Sequence, residues 1–180
     1  MTSREGTPDP TFLKSEDKMK KNDTSADLTK EEEEELKEIE DNEKILNPED
    51  LIDMNTFEQL LDMDDEDDHE FSYSIVLNYF EQADTTFKDM DNALEKKDLL
   101  ELSRLGHFLK GSSAAIGLKR VKATCEKIQN VGNRQDEEGT AEIEEEEALK
   151  RITPLLPQVK TEYSEAEEYL KNFYEVQDAR

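Results

Sequence analysis

The residues best suited to chemistry in this chain lie within about one helical turn of a single histidine. His107 is followed by Lys110 at i+3 and Gly111 at i+4, and neighbours at those spacings share one face of a helix. An imidazole is largely neutral near pH 7 and can act as a nucleophile. A lysine on the same face can neutralise an anion through charge-assisted hydrogen bonds. A glycine in a helix interior costs roughly 1 kcal/mol relative to alanine, and room for another protein's surface to reach the histidine is a reason to bear that cost. The combination predicts an anion and a close-approaching partner at the histidine. The ordinary readings stand beside it: a surface histidine, a solvated lysine, and a glycine serving helix packing.

The helix that must carry these residues can be drawn by arithmetic. At roughly 100° per residue, Leu102, Leu105, Leu109, Ser112 and Ile116 gather on one side, with Phe108 and Ala115 at its edge. That stripe is the expected core face. His107 falls about 200° from Leu105 and is expected to be exposed, with Ser103, Lys110, Gly111 and Ala114 around it. Ser112 is expected to point to the core and bond back to a helix carbonyl.

Three further seams repeat at 3-and-4 spacing, the mark of helices that pack on one face. They are Val76, Phe80, Ala83, Phe87, Met90 and Leu94; then Leu118, Val121, Cys125 and Ile128; then Ile152, Leu156, Val159, Tyr163, Ala166, Leu170 and Phe173. No segment alternates as a strand does. The expected fold class is all-α, an up-down four-helix bundle. Gly117 suits the tight turn between the second and third helices. Pro154 and Pro157 predict that the last helix becomes regular only near Pro157. Residues 48–63 predict a short additional capping helix, with Asn47 as N-cap and Pro48 in its first turn.

Composition bounds the rest. The chain has 180 residues, of which 33% are apolar and 39% charged, and a formal net charge of −25. Residues 1–44, with an unbroken run of glutamates at 31–35, are expected to form a disordered acidic N-terminal arm, because they cannot bury enough apolar surface to offset ordering entropy. Residues 45–177 are expected to form the bundle domain, with an acidic connector or solvated helix extension at about 136–148. A chain this acidic repels nucleic acid and anionic membranes, and its expected partners are proteins. No apolar stretch approaches the ~20 residues of a membrane span, and no basic-then-apolar leader opens the chain. The single cysteine, Cys125, excludes an internal disulfide and fits a reducing compartment. It falls on a seam and reads as a buried apolar residue. His69 sits in an acidic run from Asp64 to Glu70. That run lacks the glycine of a calcium loop, so no metal site is expected there; the acids complement the dipole of the helix that begins near Phe71.

The run Gly-His-Phe-Leu-Lys-Gly-Ser-Ser-Ala-Ala-Ile-Gly-Leu at residues 106–118 resembles the phosphoacceptor motif of histidine-containing phosphotransfer (HPt) proteins. The likeness continues through Cys-Glu-Lys-Ile-Gln-Asn-Val-Gly at 125–132, and back over residues 60–65 and 80–87. The longer run resembles the fungal form of the family, best known from osmosensing phosphorelays. The resemblance implies that His107 accepts a phosphoryl group from the receiver domain of a hybrid sensor histidine kinase and passes it to response-regulator receiver domains. It implies a monomer without kinase activity, with no cofactor of its own and with Mg²⁺ supplied in the partner's acidic pocket. It implies residence in the cytoplasm and nucleus. Lys110, Gly111 and Gln129 would complete the site. Docking would fall on an apolar patch beside the histidine, assigned to Ile52, Met54, Phe57 and Leu60, with Ser103, Arg104 and Ala114. The family pattern places an arginine directly after Asn-Leu-Gly. Here Asn130, Val131 and Gly132 are followed by Asn133, and Arg134 comes one place later, which turns its side chain by roughly 100° if the helix continues.

Two rival readings remain from the residues alone. A non-catalytic acidic helical adaptor would leave His107 incidental. An acidic chaperone for basic partners would rest on charge and be indifferent to His107.

Overall fold

Four long helices close into a ring in a computed structural model that describes residues 47–65 and 68–178. The expected disordered arm, residues 1–44, lies outside the described residues. Two short helices come first: α1 is Pro48–Leu51 and α2 is Met54–Leu61. The bundle is α3 Glu70–Glu95, α4 Leu99–Ala115, α5 Lys119–Gly132 and α6 Glu145–Asp178. Each packs on the next and α6 returns to α3, which is the up-down arrangement its short connections dictate. Among the described residues, no helix is long and apolar enough to cross a membrane.

The seams pack as their spacing predicts. Val76, Phe80, Ala83, Phe87 and Met90 of α3 are buried against Ile152, Leu156, Val159, Tyr163, Ala166 and Leu170 of α6 and against Leu102 and Leu109 of α4. An aromatic cluster joins α3 to α6. The rings of Phe87 and Tyr163 meet edge-on at 5.1 Å, and Phe80 meets Tyr163 at 6.2 Å, the geometry that aromatic quadrupoles favour.

Two expectations about elements are corrected. The segment 48–63 is two helices rather than one. Asn47 does cap α1, its side chain accepting from the Glu49 N–H. At Ile52, however, the backbone is extended (φ −124°, ψ 134°) and forms an antiparallel bridge with Leu118. Gly117 makes that bridge possible. Its φ of +82° is left-handed, and a Cβ there would stand 2.7 Å from the Asp53 carbonyl oxygen, so only glycine serves. The last helix also begins earlier than its prolines suggest, at Glu145, and runs through Pro154 and Pro157. Both prolines are exposed, as are Lys150 and Thr153, whose carbonyls lose their partners. The missing bonds therefore face water, while Ile152, Leu155, Leu156 and Val159 stay buried and hold the helix. Between α5 and α6, residues 133–144 form an ordered loop. Asn130 Nδ2 donates to the Glu137 carbonyl at 3.0 Å, and Gln135 bridges Glu142.

At the far end of the bundle, His69 stands at the start of α3, as its acidic setting suggests, yet a neighbour does the capping. The Asp64 carboxylate, 2% exposed, accepts from the Ser72 N–H at 2.6 Å, the Ser72 hydroxyl at 2.5 Å and His69 Nδ1 at 2.9 Å. Tyr174 of α6 donates to the same Ser72 hydroxyl at 3.0 Å. Burial would raise the Asp64 carboxyl, but the Ser72 and His69 bonds outweigh it and hold it below its ordinary value.

Candidate functional site

The α4 sequence puts its small residues where helices must touch, and that contact sets the site. The buried stripe of α4 is Leu99, Leu102, Gly106, Leu109, Ser113 and Ile116, a 3-and-4 spacing slightly rotated from the expected one. Gly106 and Ser113 take the places assigned to Leu105 and Ser112. Ser113 is fully buried, its hydroxyl 2.9 Å from that of Tyr79. Ser112 is only half-buried; its hydroxyl does bond back to a helix carbonyl, that of Phe108, at 3.2 Å. Leu105 is half-buried and Phe108 is 50% exposed.

The rotation has a cause in α5. A Cβ on Gly106 would lie 3.0 Å from the Cys125 carbonyl oxygen and 3.0 Å from the Gln129 nitrogen. One on Gly132 would lie 2.7 Å from both the Leu99 carbonyl oxygen and the Ser103 nitrogen. The two backbones therefore meet at two glycines, one from each helix. Sequence reasoning missed this contact; the signal was Gly106 at 3-and-4 spacing from Leu102 and Leu109.

This seating leaves His107 outward. The imidazole is exposed and makes no hydrogen bond or ion pair with the described residues. Gly111, one turn on, has open space above it: nothing lies within 4 Å of where a Cβ would stand. Of the two glycines within α4, the buried Gly106 serves packing and the exposed Gly111 serves nothing inside the protein. Lys110 lies on the α5 side of the histidine. Its side chain is 24% exposed, and its ammonium stands 3.6 Å from Glu126 Oε1. Glu126 was not anticipated; it holds the lysine at the edge of the site rather than free in solvent.

Gln129 is brought to the same place, half-buried, with its backbone against Gly106. Its carbonyl accepts from the Ser103 hydroxyl at 3.0 Å. Its Oε1 is buried without a hydrogen-bond partner among the described residues, which costs about 1–3 kcal/mol unless a donor arrives. Arg134 lies beyond the end of α5, with a left-handed φ of 61°, and pairs with Glu144 at 3.5 Å. It belongs to the ordered 133–144 loop.

The assigned docking residues are redistributed. Ile52, Phe57 and Leu60 are 1%, 0% and 7% exposed and lie in the core. Phe57 packs edge-on against Phe173 at 5.2 Å and Tyr174 at 6.4 Å, so α2 spends its apolar face on α6. Met54 is half-buried on the same core. Ser103 is buried too, under the glycine contact and bonded to α5. Ile52, Phe57, Leu60 and Ser103 therefore offer no docking area, while Met54 keeps part of its surface. Arg104 remains exposed, tied only to Glu101 at 3.2 Å, and Ala114 is half-exposed. The exposed apolar surface near His107 comes instead from α4 itself. Phe108 adjoins the histidine, and Leu100, 71% exposed, sits seven residues earlier on the same face.

Phe108, Arg104 and Leu105 also line a groove of about 550 Å³ between α3 and α4, with Asn78, Gln82 and Thr85 opposite. Cys125 is fully buried and free; burial, with Glu162 adding to it, pushes its thiol up to about 12. It is a packing residue.

Comparison with known proteins gives a consistent picture. The family model described as Hpt domain matches residues 74–169. The chain is 51% identical over 134 residues to multistep phosphorelay regulator 1 of Schizosaccharomyces pombe, covering 74% of this chain and 45% of that protein. It is 44% identical over 90 residues to phosphorelay intermediate protein YPD1 of Saccharomyces cerevisiae, covering 49% of this chain and 53% of that protein. The chain thus spans about half the length of these curated relatives. Its fold also matches the Saccharomyces cerevisiae histidine phosphotransfer signaling protein Ypd1, as crystallised with the receiver domain of its downstream response regulator Ssk1. That match has a TM-score of 0.61 and 34% identity, covering 69% of this chain and 95% of that one.

Proposed function

Because the chain belongs to the family of Hpt domains, we propose that it is a phosphorelay intermediate. His107 takes a phosphoryl group from the receiver aspartate of a hybrid sensor kinase and gives it to the receiver aspartate of a response regulator. The observation that carries this reading is an exposed histidine beside open space at Gly111, with a cation on its flank.

The step balances without help from a nucleotide. The ring nitrogen of His107 that bears no proton attacks the phosphorus of an aspartyl phosphate. A P–N bond forms as the P–O bond breaks, and the aspartate leaves as a free carboxylate. The other ring nitrogen keeps its proton. The reverse step delivers the group to a second receiver. Lys110 bonds the phosphoryl oxygens after exchanging its Glu126 contact, and Gln129 offers its side-chain amide as a neutral donor. Mg²⁺ belongs to the receiver pocket, which must be acidic to hold it, because the ion takes carboxylate and other oxygen ligands. Positioning supplies most of the rate, as in phosphoryl transfer generally. The chain contributes no phosphate-cradling glycine loop and acts as carrier rather than kinase.

Docking falls on the α4 face around Phe108, Gly111, Ala114 and Arg104. The test is transfer of label from a phosphorylated receiver domain with Mg²⁺ to the wild type and to His107→Gln. Acid-labile, alkali-stable label on the wild type alone is the expected result. No label on folded wild type, with several receivers tried, overturns the reading in favour of a non-catalytic adaptor.

A further inference from the structure

Among the bundle helices of this acidic protein, α5 carries the largest excess of cations over acids. α5 carries Lys119, Arg120, Lys122 and Lys127 against the single acid Glu126. Two other helices are the opposite: α3, across the bundle, sets Glu70, Glu81, Asp84, Asp89, Asp91 and Glu95 against Lys88, and the adjacent α6 opens on three glutamates and stays acid-rich. The α5 cations are not all engaged internally. Arg120 turns to α6 and pairs with Glu165 at 2.6 Å, and Lys127 pairs with Glu137 at 3.3 Å. Lys119 and Lys122 are exposed and form no ion pair within 4.0 Å among the described residues. Lys119 acts on Asp53 only weakly: the Thr56 hydroxyl chiefly holds that carboxyl below its ordinary value, and Lys119 adds to the effect.

The position of these two lysines follows from helix spacing and two contacts. Lys119, Lys122, Glu126, Gln129 and Asn133 recur at 3-and-4 intervals and so form one row along α5. Glu126 meets Lys110, and Gln129 packs on Gly106, so the row flanks α4 on the side that carries the histidine. Because α4 and α5 run antiparallel, Lys122 and Lys119 extend the row past Lys110 toward Ala114 and the C-terminal end of α4. The result is a line of cations that starts beside His107 and leads away from it along the flank of the docking face.

We propose that Lys119 and Lys122, continuing from Lys110, form a cationic rail that takes the acidic rim of a receiver's phosphorylation pocket and sets the direction from which that pocket reaches His107. The inference rests on the phosphoryl-transfer reading above. A chain of net charge −25 repels an acidic pocket over most of its surface, and exposed charges of this kind act on encounter and orientation more than on the chemical step. The two lysines are docking residues and touch no reacting atom.

The experiment compares wild type, Lys119→Glu/Lys122→Glu, and Lys88→Glu/Lys150→Glu, a control that makes the same net charge change at exposed sites on α3 and α6. The assay is transfer from a receiver domain charged with acetyl phosphate in Mg²⁺, at low and high salt. The rail predicts that the α5 variant raises KM about tenfold at low ionic strength, with kcat unchanged. The gap should close near ~0.5 M salt, and the control should stay within about twofold of wild type. Equal KM for the α5 variant and wild type at low salt overturns the rail while leaving the relay intact. An equal rise in both variants also overturns it, by making net charge the cause. Failure of wild type to accept label removes the relay and the rail together.

Discussion

Gly111 provides the most demanding prediction, because one substitution should strengthen the fold and abolish the function. Above Gly111 there is nothing within 4 Å of a Cβ, so Gly111→Gln meets no steric cost inside the protein. It gains the difference in helix propensity, about 0.5–1 kcal/mol, which raises the melting temperature by about 2–5 °C for a domain of this size. The added side chain stands several ångströms proud of the helix, next to His107 on the docking face. Attack needs the phosphorus within roughly 3–3.5 Å of the ring nitrogen, and a 1 Å misplacement can cost on the order of a hundredfold. The expected kcat/KM for transfer from a phosphorylated receiver therefore falls at least about a hundredfold. Gly111→Ala, with a single methyl, should fall between. Thermal melts by circular dichroism and single-turnover transfer kinetics read the two effects separately. Wild-type transfer by Gly111→Gln would refute the argument that this glycine is kept for a partner's approach, and a lowered melting temperature would refute the claim that the space is open.

Gly132→Ala should do the opposite: its Cβ would stand 2.7 Å from backbone atoms of α4. The helices must separate, at about 1–3 kcal/mol or more, and a melting temperature at or above wild type would show that the glycine contact is not tight. Phe57→Ala should cost about 3–5 kcal/mol yet leave transfer unchanged at temperatures where it is folded, since Phe57 is 0% exposed; a selective loss of receiver affinity would restore it to the docking surface. Asp64 carries a depressed carboxyl, so its ionised form stabilises the fold above the ordinary value of 3.8 and that contribution is lost as pH falls through the lower folded value. Asp64→Asn should thus melt below wild type at pH 7, with the gap narrowing in acid; a gap that widens on acidification contradicts the assignment. Cys125, buried and pushed up to about 12, should resist a thiol reagent at pH 8 and label only at the rate of unfolding, and rapid labelling of the native protein would argue against its burial.

The sequence by itself determined a good deal here, because helix faces are written locally. A 3-and-4 spacing places a seam wherever the chain is helical, so the four bundle helices, the outward His107 and the tight turn at Gly117 were all legible without coordinates. Even the mistaken face of α4 was wrong only by a small rotation. What the tertiary structure decided is which surfaces meet. Phe57 and Phe108 are both large apolar residues on amphipathic helices, and nothing local says that Phe57 is covered by Phe173 and Tyr174 while Phe108 is left half exposed. Gly106 and Gly111 are one residue type in one helix, and only the passage of α5 across the first makes one a contact and the other an opening. Pro154 and Pro157 stop a helix on propensity alone, yet they fall on the solvent side of α6, where lost backbone bonds are cheap and the buried leucines prevail. The partnership of Lys110 with Glu126, and the line of cations beyond it, joins residues on separate helices. Period encodes which way a side chain points from its own helix; burial, pairing and exposure depend on what other part of the chain arrives opposite it.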